Sequence, residues 1–228
     1  MRLKSCILMV LSLLLLAATA SGKNFLIRPY GLFGGAATNS DIPYNATWSA
    51  TSPHKDPITS YFSYGGGVQV FYALKGTTTE SYFALGLDLG YLHAWDWSVT
   101  TNGKLFKYSY DYINCNVLLE VKYELTGIGF LFYAGPGIYL NASSPTATNP
   151  DLYQLLEPAK DPVNGTFWGL QVATGISIAL SKNIKIPLIL RGDLIFADKF
   201  VYPSAYYPNV LNGTYGVLSG LFGIEIAI

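Results

Sequence analysis

Eight ionisable residues break into otherwise apolar or small-residue stretches: Arg28, Asp88, Glu120, Lys122, Lys185, Arg191, Asp193 and Glu225. Four are cations and four are carboxylates, so the set is neutral. Glu120 and Lys122 lie two apart, as do Arg191 and Asp193, a spacing that puts both members of each pair on one face of a strand. Opposite charges held away from water must pair and hydrogen-bond, because an isolated buried charge is costly. The chemistry on offer is therefore a salt-bridged packing network or a selective conduit. Nucleophilic catalysis has less footing, since it needs a nucleophile beside a base. The only histidines are His54 and His93. His93 has Asp96 and Ser98 along its own stretch, but it stands between aromatic neighbours and reads better as an interface residue. No spacing of His, Cys, Asp and Glu suggests a metal centre.

The elements that position these residues are strands. In Tyr82-Phe83-Ala84-Leu85-Gly86-Leu87-Asp88-Leu89-Gly90-Tyr91-Leu92, the residues Phe83, Leu85, Leu87, Leu89 and Tyr91 are large and apolar. The positions between them are mostly small or polar. A period of two is a strand signal, and two glycines with an aspartate would spoil a helix. The bulky face is the apolar one, whereas Gly, Ala and the carboxylate share the other. That polarity is expected of a barrel in lipid, whose exterior is apolar and whose interior is polar or small.

Composition agrees. The 228-residue chain has formal net charge +0, with 12% charged, 50% hydrophobic and 15% aromatic residues, and its mean hydropathy is +0.30. An ordinary soluble domain carries about 25% charged residues. Beyond the N-terminus no apolar run approaches the ~20 residues of a spanning helix. Backbone polar groups in lipid must be satisfied internally, which leaves a closed β-barrel. Neutral charge without a Lys/Arg cluster gives nucleic acid no footing. Residues 1–20 read as a secretory signal peptide: Arg2 and Lys4 precede the run Ile7 to Ala18, and Ala18-Thr19-Ala20 is a small-x-small cleavage site. Cleavage there removes Cys6, and Cys115 alone cannot form an internal disulfide. Residues 21–228 are then one barrel domain.

Eight strands follow in order, near 24–34, 61–74, 82–94, 105–125, 128–141, 165–180, 184–196 and 213–228. Short turns are expected at Lys75-Gly76-Thr77-Thr78, Thr126-Gly127 and Ser181-Lys182-Asn183. Longer polar connections are expected at 35–60, 142–164 and 198–212, with a shorter one from Asp96 to Lys104 containing the hairpin-favouring Asn102-Gly103. Pro136 predicts a bulge or kink in the fifth strand. Arg28 on the first strand and Glu225 on the last should meet at the seam. The aromatics Tyr30, Tyr61, Tyr64, Trp95, Trp97, Tyr108, Tyr110, Tyr112, Trp168 and Tyr202 suit an interfacial girdle. Trp48, Tyr206 and Tyr207 fall in loops and are candidates for surface recognition. Asn45, Asn141, Asn164 and Asn212 begin N-x-S/T triplets, which arise easily by chance in such loops.

An even strand number, connections alternating in length and constant inside-out polarity resemble the small eight-stranded outer-membrane barrels, of the OmpA-transmembrane-domain, OmpX and opacity-protein type. The chain ends on Ile228, where such barrels commonly carry an aromatic. The resemblance implies an all-β, antiparallel up-and-down transmembrane barrel in the outer membrane of a diderm bacterium, exported by the Sec route. It implies partners of three kinds: outer-membrane lipid and lipopolysaccharide, the outer-membrane assembly machinery, and host surface molecules. The expected function is structural or exercised through the surface loops, with no enzymatic activity and no cofactor. The competing readings are a narrow channel or transporter for small or hydrophobic solutes, a lipid-modifying enzyme, and a secreted lipocalin-like binder.

Overall fold

The computed structural model describes residues 24–38, 58–60, 62–101, 104–142, 146–147, 166–201 and 210–228, with side chains for 24–36, 62–94, 111–142, 166–196 and 216–228. Residues 1–20, expected to be a signal peptide, and Trp48, Tyr61, Tyr202, Tyr206 and Tyr207 lie outside these residues. Eight long strands run through the rest: β1 Phe25–Thr38, β2 Phe62–Gly76, β3 Tyr82–Thr101, β4 Lys104–Leu125, β5 Ile128–Asn141, β6 Thr166–Ala179, β7 Ile184–Val201 and β8 Val210–Gly223. Each pairs antiparallel with the next. β8 returns to β1 from Tyr30↔Gly223 to Thr38↔Tyr215, so the sheet closes on itself. Beyond Ile224 the seam continues through the short strand Glu225–Ala227, which pairs with both β1 and β7.

One end of the barrel is finished by short turns. Thr126 and Gly127 both have positive φ, 46° and 85°, between the paired Leu125 and Ile128. That is the type I′ geometry whose twist matches flanking strands. The two ends of the barrel chain meet at the same level, where Ile228 N donates to Phe25 O at 2.8 Å.

The other end differs from the sequence expectation. Asp96 to Lys104 is not a loop: β3 and β4 stay paired as far as Thr101↔Lys104, and only Asn102-Gly103 separates them. Trp95, Trp97, Val99, Thr100 and Thr101 are strong strand formers, and they carry the ladder past the barrel wall. Two short strands flank this hairpin, Ile58–Ser60 against β3 and Thr146–Ala147 against β4. The expected loops 35–60 and 198–212 are shortened, since β1 reaches Thr38, β7 reaches Val201 and β8 begins at Val210, whereas 142–164 keeps its bounds between Asn141 and Thr166 and holds only the short strand Thr146–Ala147. Pro136 produces no register shift. The pairings Asn116↔Gly137 and Leu119↔Ala134 keep one register, and only the two bridges between them are lost. A missing N–H interrupts a ladder without having to displace it.

Side chains sort by parity. Leu85, Leu119 and Leu188 are 43%, 50% and 48% exposed, whereas Arg28, Asp88 and Arg191 are fully buried. Large apolar residues therefore cover the outside and charge fills the bore. Tyr72, Phe83 and Tyr123 are exposed toward the turn end, and Phe62, Tyr64, Tyr91, Trp168 and Phe196 toward the opposite end. Tyr30 and Tyr112 do not belong to this girdle: both are buried, because their even positions face inward with Arg28 and Asn114. The side chains of Trp95, Trp97, Tyr108 and Tyr110 lie outside the described residues.

Candidate functional site

The bore holds two tiers of ionic contacts. The tier nearer the turns is centred on Arg28 of β1, whose guanidinium reaches across to β4. Arg28 Nη1 donates to Glu120 Oε2 at 2.8 Å and Nη2 to Glu120 Oε1 at 3.0 Å. The same group donates to Glu225 Oε1, from Nη2 at 2.8 Å and Nε at 3.1 Å, and from Nη1 to Gln69 Oε1 at 2.8 Å. Lys122 Nζ donates to Glu225 Oε2 at 2.8 Å. Lys185 Nζ donates to Glu124 Oε2 at 2.7 Å and to the carbonyl of Thr79 at 3.1 Å. The Tyr82 hydroxyl donates to Glu120. Rings close the tier: the Arg28 guanidinium lies 5.0 Å from the Phe71 centroid and 5.9 Å from that of Tyr133.

The second tier lies farther from the turns and centres on Arg191 of β7. It grips Asp193 through Nε and Nη2, both at 2.8 Å, and reaches Asp88 of β3 from Nη1 at 3.0 Å. Tyr30 donates to Asp88 Oδ1 at 2.7 Å, and Tyr139 to Asp193 Oδ1 at 2.6 Å. Asn114 and Asn116 turn their Nδ2 groups toward Asp88 Oδ2, at 3.2 and 3.4 Å. Above this tier most of the lining is apolar, with Leu32, Leu92, Tyr112, Ile195 and Val217 all buried, and the buried Ser63 and Ser219 hydroxyls lie 3.5 Å apart among them.

All eight charged residues singled out in the sequence thus face the bore. The arginine forks suit this setting, since bidentate pairing with carboxylates fixes geometry as well as charge. Removing one partner of such a buried pair strands the other, at a cost of roughly 3–5 kcal/mol. The sequence reading missed Glu124, whose side chain is 15% exposed and joins Lys122 and Lys185. Its even position in β4, two beyond Lys122, is the signal that marks it. It also missed the tyrosines as bore-lining donors.

No family model matches the chain, and no curated protein matches it. Solved structures do. OprG from Pseudomonas aeruginosa aligns over 90% of this chain and 95% of its own, with TM-score 0.50 and 11% identity. This is a small outer-membrane β-barrel fold. The outer membrane enzyme PagL aligns over 88% of this chain and 99% of its own at 11% identity, with TM-score 0.47. Neisserial surface protein A aligns over 90% and 97% at 13% identity, with TM-score 0.46.

A smaller polar group sits on the outer wall of the barrel, at the end of the apolar belt remote from the turns. The side chains of Asp96 and Ser98 lie outside the described residues, and the group is centred on His93. Its Nδ1 lies 2.8 Å from Asp111 Oδ1 on β4, the residue directly opposite it in the ladder. Tyr91 donates to the same oxygen at 2.6 Å, and the Tyr64 ring stacks on the imidazole with centroids 4.4 Å apart. His93 and Asp111 stand directly opposite each other in the β3–β4 ladder, and cross-strand neighbours are close enough to interact. Among the described residues no cluster of His, Cys, Asp and Glu is suited to a metal ion.

Proposed function

We propose that the chain is an integral outer-membrane protein whose bore is plugged by its own side chains and whose work is done structurally or by its outer surface. The observation that carries this reading is the reach of the two arginines. Arg28 ties β1 to β4, and Arg191 ties β7 to β3, so fully buried ionic bonds cross the bore at two levels. An eight-stranded barrel has an interior just wide enough for side chains to fill. The apolar outer wall with aromatics toward both ends supports residence in a bilayer. The β3–β4 hairpin, flanked by Ile58–Ser60 and Thr146–Ala147, extends the sheet beyond the wall. It is the surface best placed to meet lipopolysaccharide or a host molecule, together with the loops that carry Trp48, Tyr206 and Tyr207.

The test is electrical. The purified chain, reconstituted in planar bilayers, should insert without producing unitary conductance at moderate voltage. Steady single-channel steps from the natural chain would overturn the plugged-bore reading and favour the conduit.

A further inference from the structure

The turns at the end where the chain termini meet are not alike. Thr126 and residues 181–183 are exposed, whereas Thr78, in the turn between β2 and β3, is fully buried. The residues before it bend the chain. Leu74 is bulged out of the ladder between Ala73↔Ala84 and Lys75↔Phe83, and a bulge bends the strand that carries it. Gly76 follows with φ +83°, where a Cβ would run into the Ser81 carbonyl, so only glycine suits the position. The turn then closes on itself. Glu80 N donates to Thr77 O at 2.9 Å, and the Thr77 and Thr79 hydroxyls lie 3.2 Å apart.

The direction of the bend is given by Lys185, whose Nζ donates to the Thr79 carbonyl at 3.1 Å. Lys185 stands near the start of β7. From β3 the closed sheet reaches β7 through β2, β1 and β8 one way and through β4, β5 and β6 the other, so β7 is the far wall. The turn therefore lies across the mouth of the bore. Its near side is tied down as well, since Glu124 N on β4 donates to Ser81 Oγ at 2.9 Å. Directly behind it come the buried Tyr82 and a pocket of side chains over Gly129, where a Cβ would meet atoms of Lys122, Glu124 and the fully buried Ser177. Lys185 also holds Glu124 Oε2 at 2.7 Å. That bond is charged at both ends and the one to Thr79 at one end only, so the turn is the weaker of its two partners. It can leave while the ion pair stays.

We propose that the β2–β3 turn is a strap that closes this mouth of the bore, latched to the far wall by Lys185, and that its release opens the lower ionic tier to water. The proposal deepens the plugged-bore reading and rests on it: the two tiers fill the bore, and the strap controls whether solvent on the turn side reaches them. Short turns of outer-membrane barrels face the periplasm, which is then the side the strap guards.

Thiol labelling in lipid nanodiscs, where both ends of the barrel are in reach, provides the test. Cys115→Ser clears the background, and Ser177→Cys then sets one thiol behind the strap. A charged methanethiosulfonate should modify it slowly. Replacing residues 77–81 by Asn-Gly, a two-residue turn suited to the paired Gly76 and Tyr82, removes the strap and leaves Lys185 on Glu124. Labelling should then quicken about tenfold or more, a shift that one hydrogen bond from a charged group can hold back. Equal rates with and without the strap overturn the proposal. Should the Asn-Gly chain fail to fold, Lys185→Met cuts the latch instead, and an unchanged rate is equally fatal. So is a thiol at Ser177→Cys that reacts, strap in place, as fast as one at Lys182→Cys on the exposed β6–β7 turn. Rapid labelling with silent bilayers refutes the strap and leaves the plugged bore standing, whereas conductance steps from the natural chain refute both.

Discussion

Arg28 offers the sharpest test of how dry the bore is. Replacing it with Met keeps the length of the stem and removes five hydrogen bonds to Glu120, Glu225 and Gln69. Glu225 would retain Lys122, but Glu120 would be left with the hydroxyl of Tyr82 and no cation within the bonds described. The tier would pass from neutral to one net negative charge in a space that excludes water. Breaking a buried ion pair from one side costs roughly 3–5 kcal/mol, and a similar loss is expected here. Arg28→Lys should fall between, because it restores charge without the fork that engages two carboxylates. Adding Glu120→Gln to Arg28→Met should recover part of the loss, since the second change removes the charge stranded by the first. Contacting residues commonly couple by about 0.5–3 kcal/mol. The assay is reversible urea unfolding in vesicles, followed by tryptophan fluorescence and by the heat-modifiable shift on gels. A loss below ~1 kcal/mol for Arg28→Met, with no recovery in the double variant, would mean that water reaches Glu120 and that the plug is not a plug.

Two further substitutions probe the wall and the turns. Leu119→Arg places a charge on an outward position of β4 that is 50% exposed. Near the bilayer midplane it should cost ~2–4 kcal/mol in the same vesicle assay, while an equal stability to the natural chain would contradict the lipid-facing assignment. Gly127→Val forces a β-branched residue into φ +85° at the β4–β5 turn. It should cost roughly 1–2 kcal/mol, seen as a lower urea midpoint with no change in the final folded band; an unchanged midpoint would show that the turn relaxes to another geometry.

Parity along one strand is local information, and it carried most of the architecture. Leu85, Leu119 and Leu188 can be placed outside, and Asp88 and Arg191 inside, without knowing any partner strand. Closure adds one non-local fact, since the first and last strands of a barrel must be neighbours, and so Arg28 can be matched to Glu225. Neither argument reaches across the bore. That Arg28 meets Glu120, three strands away, depends on strand tilt and stagger, which set the heights of two side chains on opposite walls. The opposition of His93 and Asp111 likewise depends on the register of the β3–β4 hairpin. Glu124 was legible, since it falls within the expected strand 105–125 on the same parity as Glu120 and Lys122, and it was left out of the inward set. Its inclusion changes the sum. With Glu124 counted, the tier near the turns has one carboxylate for each of Arg28, Lys122 and Lys185. The ion balance of a bore is thus a property of the closed structure, because pairs across it join strands that no single-strand pattern relates.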